Sequence, residues 1–194
     1  MKEKVITVSS YGIALLSENA VSTFLKENKI RSKKLLKIFQ ENQSLYLDSL
    51  AKGVWIPILP VDSIKYQIKT SNLGEAFGDE WEKTLEEDGF NLNVYDSFWI
   101  ASIGLLSDLA KESYEAESIF YETLDGDKLY QGFKFRYPSG KYTVKIEGYR
   151  RRIEKAFPEP NFGYLFSLDK VDEFCGYKDP REDDNYFFNV AQIK

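Results

Sequence analysis

The chain has 194 residues, 43% hydrophobic and 29% charged, a balance that excludes wholesale disorder and suits one ample domain. It has no histidine and one cysteine, Cys175, which excludes Ser-His-Asp and Cys-His nucleophilic sites, disulfide-stapled folds and the usual zinc ligand sets. The net charge of −5 divides into +4 over residues 1–60 and −9 over the rest; the larger part therefore disfavours nucleic acid and anionic membranes and favours basic partners.

Val5 to Val8 reads as a short opening strand. From Ser17, an N-cap, Ala20, Val21, Phe24 and Leu25 share one helical face. A second helix is expected from near Ser32, with Leu35, Leu36, Phe39, Tyr46, Leu47 and Leu50 on a stripe and Gly53 as its stop. Val54 to Pro60 is extended, and its two prolines confine it to a sheet edge or a connection. Ile64, Tyr66 and Ile68 alternate with Lys65, Gln67 and Lys69, as in a strand with one wet face. Leu73 to Gly89 reads as an acidic connection with a helical turn around Trp81.

Leu92 to Tyr95 and Phe98 to Leu105 are expected strands; Trp99, Ile103, Leu106 and Ala110 also suit a helix, but Ser102 and Gly104 favour the strand. Asp125-Gly126 marks a hairpin turn between Ile119–Thr123 and the strand carrying Leu129, Gln131, Phe133 and Phe135. A second turn at Tyr137-Pro138-Ser139-Gly140 leads to Tyr142, Val144 and Ile146, completing an expected three-stranded meander. Tyr164, Phe166 and Leu168 suggest a further strand, and Tyr186 to Ile193 a closing one. The expected fold is α+β: residues 1–52 as a short strand and helical pair, packed on an antiparallel β-sandwich or rolled sheet over 53–194, together forming one structural unit.

Glu115, Glu117, Glu122 and Glu147 are candidate carboxylates for a carbohydrate-active sandwich, although charged residues are the ordinary wet face of an antiparallel sheet. Asp125-Gly126-Asp127 fails as a calcium loop, because Leu129 and Arg136 fall where oxygen ligands are needed. No glycine run matches a phosphate-cradling loop. Catalytic residues, cofactors and metals are therefore all expected to be absent. Lys26 to Lys37, including Lys33 and Lys34, holds six basic residues astride a helix–helix junction, the alternative reading being a nucleic-acid-binding regulator. No apolar run approaches the roughly 20 residues of a membrane span and no apolar leader opens the chain, so a cytoplasmic location is expected.

The acidic segments carry the leading expectation. Glu75, Asp79, Glu80, Glu82, Glu86, Glu87 and Asp88 stand against Lys83, with Phe77, Trp81 and Phe90 interleaved. Asp179, Glu182, Asp183 and Asp184 lie among Phe174, Tyr177 and Tyr186. Aromatic anchors within a negative field suit an inhibitor of a basic protein, the charges steering encounter and the rings holding the complex. Trp81 is the expected anchor, and the 75–88 segment the stronger contributor.

The stretch Gly132-Phe133-Lys134-Phe135-Arg136-Tyr137-Pro138-Ser139-Gly140-Lys141-Tyr142-Thr143-Val144-Lys145-Ile146, followed by Lys178-Asp179-Pro180-Arg181-Glu182-Asp183-Asp184, resembles small acidic bacterial immunity proteins. The resemblance implies a non-catalytic inhibitor that binds a basic bacterial toxin.

Overall fold

The computed structural model describes residues 3–32, 34–107, 116–182 and 185–192. Two five-stranded sheets pack face to face and helices cover the outer face of one of them, an α+β architecture as expected. Sheet A runs β1 (Lys4–Thr7), β4 (Lys65–Thr70), β10 (Phe162–Val171), β9 (Gly140–Arg151), β5 (Trp81–Val94). Sheet B runs β3 (Trp55–Ile58), β2 (Ile13–Leu16), β6 (Ser97–Ser102), β8 (Lys128–Arg136), β7 (Ser118–Glu122). All pairings are antiparallel except β4 with β10.

Sheet B explains the unbroken apolar runs of its strands. Ile13, Leu15, Ile56, Ile58, Phe98 and Ile100 face sheet A, while Ala14, Leu16, Trp55 and Trp99 face the helices. A strand buried on both sides has no polar face to alternate with. The helices are α1 (Glu18–Glu27), α2 (Leu35–Glu41) and α3 (Gln43–Ala51). Phe24, Phe39, Tyr46 and Trp55 form one aromatic cluster between helices and sheet, Phe39 stacking on Trp55 at 5.0 Å. As expected, β3 with Pro57 is an edge strand, and Gly53 ends α3 at φ +65°.

Four expectations are corrected. The helix expected over about 32–52 divides at Asn42, whose backbone is extended and whose Oδ1 accepts from Leu45 N at 3.0 Å, capping α3. Among the described residues there are thus three α-helices rather than a pair. Of the segment read as an acidic connection, residues 74–80 do connect, but 81–89 form the first half of β5, and Trp81 opens a strand rather than a helical turn. Two register shifts, at Lys83/Leu85 and Glu87/Phe90, break its alternation; each bulge moves the next side chains to the other face.

The meander also fails. β7 and β8 form the Asp125-Gly126 hairpin, with Gly126 at φ +84°, but β9 joins sheet A. The β5–β6 turn crosses between sheets beside it, and the two crossings are tied: Tyr137 N donates to Asp96 O at 2.9 Å and Ser139 Oγ to Asp96 Oδ1 at 2.8 Å. Finally, described residues 185–192 form turns rather than a closing strand. Their core role is still met: Phe188 and Val190 are fully buried between the sheets. Tyr164 Oη donates to Phe188 O at 2.7 Å, and Asn189 Nδ2 and Gln192 Nε2 both donate to Asp62 Oδ1. Val190 lies directly over Gly148, where any Cβ would collide with it.

Candidate interaction surface

The acidic residues singled out from the sequence are largely committed to the fold. Glu75 accepts from Thr70 N at 2.8 Å and pairs with Lys4 at 3.4 Å. Glu82 lies 3.7 Å from Arg150, and Asp88 3.4 Å from Lys178. Glu86 pairs with Lys83, whose hydrogen bond holds its carboxyl below the usual range. Asp179 accepts from Tyr46 Oη and Arg181 N. Glu182 accepts from Asn185 Nδ2 at 2.9 Å and is exposed. Asp183 and Asp184 lie outside the described residues, as do Lys33, Ala110 and Glu115.

Trp81 is not a surface anchor. It is 4% exposed, its ring packed against Phe77 at 4.7 Å and beneath the Arg151 guanidinium at 4.3 Å. Phe77 in turn stacks on Tyr149 at 4.4 Å, with the Lys69 ammonium 4.6 Å from its ring. The 74–80 segment is thereby strapped over the outer face of sheet A, with Phe77 lying on Gly163. This strap is why Gln67, expected on a wet face, is buried.

Exposed apolar side chains gather elsewhere. The registers bring the C-terminal ends of β1, β7 and β9 and the N-terminal ends of β2, β4, β5, β8 and β10 to one end of the sandwich. There Tyr11 is 69% exposed, Leu124 107%, Ile153 83% and Phe157 89%, joined by Ile64. Residues 64–65, 79–80, 122–128 and 152–161 at this end carry seven carboxylates against four cations. Asp79 and Glu80 belong to this group, and among the described residues neither makes an ion pair. Between the β9–β10 loop and the starts of β4 and β8 runs a groove of about 420 Å³, walled by Ile64, Leu129, Phe157, Pro158, Pro160 and Phe162. Exposed apolar groups gathered at one end of a domain among charged loops mark interaction sites. Ile153 and Phe157 stand in a loop between two strands, where no periodicity calls for apolar residues; that was the available sequence signal.

The remaining candidates do not converge. Glu147 is buried and paired with Lys83 at 3.0 Å on sheet A, whereas Glu117 and Glu122 lie by β7 on sheet B, with Glu117 bonded to Arg136 at 2.6 Å. Among the described residues no group of three or more potential metal ligands occurs. In the basic segment, α1 and α2 are separated by residues 28–34, longer than the turn of a helix-turn-helix, and α2 buries Leu35 and Phe39. No described helix is long and apolar enough to cross a membrane. The chain matches no protein-family model, no curated protein and no solved structure.

Proposed function

We propose that the chain is a non-catalytic protein-binding inhibitor that grips a basic protein, of the kind an immunity protein neutralises as a cytoplasmic antidote to a bacterial toxin. One observation carries the reading: the loop end of the sandwich exposes Tyr11, Ile64, Leu124, Ile153 and Phe157 beside loop segments in which carboxylates outnumber cations. Apolar anchors supply slow dissociation, and a surrounding negative field speeds encounter with a cationic partner. The contact is expected at this end rather than along β5, because the β5 carboxylates Glu82, Glu86 and Asp88 already face Arg150, Lys83 and Lys178.

The test is co-expression with basic toxins encoded beside the gene, with calorimetry on the purified pair. Protection and tight binding are expected, both lost in Ile153→Asp/Phe157→Asp while the melting temperature holds. Neither protection nor binding by the native chain overturns the reading. Binding indifferent to the double substitution removes this surface from it.

A further inference from the structure

The groove at the loop end already holds a cation. Lys65 Nζ lies 4.9 Å from the centroid of the Phe157 ring and donates to Pro158 O at 3.4 Å. Among the described residues no carboxylate lies within ion-pair distance of Lys65, so only a ring and one carbonyl hold the ammonium. Glu159 also lines the groove and has no described cation. Apolar walls, an aromatic face, a carbonyl acceptor and a carboxylate are the complement of a guanidinium on an aliphatic stem. Its plane stacks on a ring, its five N–H groups reach several acceptors at once, and its methylenes cover apolar surface. An ammonium makes poorer use of the same walls.

We infer that this groove receives an arginine side chain of the protein partner, with Lys65 as the resident cation that the arginine displaces. The inference rests on the protein-binding reading of the same end. The net negative charge of the surrounding loops favours a cationic visitor over an apolar one. Lys65 then tempers the site: it keeps the ring and carbonyl occupied until a better-fitting cation arrives.

The test is calorimetric titration of hexa-arginine and hexa-lysine peptides at low salt into the native chain, Lys65→Met, Lys155→Met and Lys65→Met/Phe157→Ala. Lys155→Met removes one positive charge from the neighbouring β9–β10 loop without emptying the groove. Lys65→Met is expected to tighten hexa-arginine binding about tenfold, Lys155→Met by no more than about twofold, and hexa-lysine is expected to gain less than hexa-arginine. Phe157→Ala in the Lys65→Met chain is expected to abolish the gain; Phe157 is 89% exposed, so the fold survives its removal. Equal gains from Lys65→Met and Lys155→Met mean that charge alone acts, and overturn the groove assignment. So does a gain that persists without Phe157. A native partner that is still lost on Ile153→Asp/Phe157→Asp would, in either case, leave the wider surface standing.

Discussion

Trp81→Ala separates a structural role from an interfacial one. The indole is 4% exposed, with Phe77 edge-on at 4.7 Å and the Arg151 guanidinium 4.3 Å above it. Truncating a buried tryptophan typically costs roughly 3–5 kcal/mol, including any cation–π contribution. Arg151 is itself 8% exposed and would keep its Nε bond to Pro160 O at 3.1 Å, while its charge lost the ring. Trp81 opens β5 and lies against the strap rather than between the sheets, so partial collapse places the cost near the lower end, about 3–4 kcal/mol. In a domain of this size that lowers the melting temperature by roughly 6–16 °C. Melting followed by circular dichroism measures it, with partner affinity determined on the folded fraction at low temperature. The expected result is a large loss of stability with affinity intact. A melt within about 2 °C of the native chain, together with lost affinity, would refute the burial argument and restore Trp81 as an anchor.

Gly148→Ala places a Cβ against Val190 and 3.0 Å from Leu85 Cβ; overpacking of about 1–3 kcal/mol is expected in denaturant unfolding, largely relieved by Val190→Ala in the same chain. Tyr46, Tyr66 and Tyr164 all have phenol pKa values raised first by burial. The unfolded phenols titrate near 10, so stability is fully present below pH 10 and falls as the pH rises beyond it; melts from pH 8 to 12 check the sign. Charge reversal at Asp79 and Glu80 is expected to slow partner association several-fold and flatten its salt dependence, more than reversal at the ion-paired Glu82 and Glu86, as stopped-flow rates would measure.

The parts of the fold that were legible follow simple rules. The helical spacing of Ala20, Val21 and Phe24, Pro57 on an edge strand, and Asp125-Gly126 at a hairpin each act through local chemistry, whereas Ser17 precedes the helix without capping it and its Oγ accepts from the distant Tyr95 N at 3.2 Å. The misreadings have local causes too. Two bulges hid the alternation of Trp81, Leu85, Phe90, Leu92 and Val94, and the abundance of carboxylates made a strand look like a loop. Nothing near Pro138 distinguishes a turn within a sheet from one that changes sheets; that depends on Asp96, some forty residues away along the chain. The expected site suffered from the same limit. Counting Glu82, Glu86, Asp88 and Asp179 as a free negative field overlooked Arg150, Lys83, Lys178 and Tyr46, partners that only the fold brings close.

The place of β10 in sheet A has a consequence for synthesis. The five strands of sheet B and helices α1, α2 and α3 lie before residue 137, whereas β10, between β4 and β9, begins at Phe162. The helical layer and sheet B can therefore assemble on a ribosome while sheet A still lacks its middle. During that interval Ile13, Leu15, Phe98, Ile100 and Phe135 have no opposite face to lie against. Pairings this distant along the chain form slowly, and exposed half-sandwiches associate with one another. A nascent chain stalled before Phe162 is accordingly a sticky species, prone to association until β10 emerges to fill the middle of sheet A.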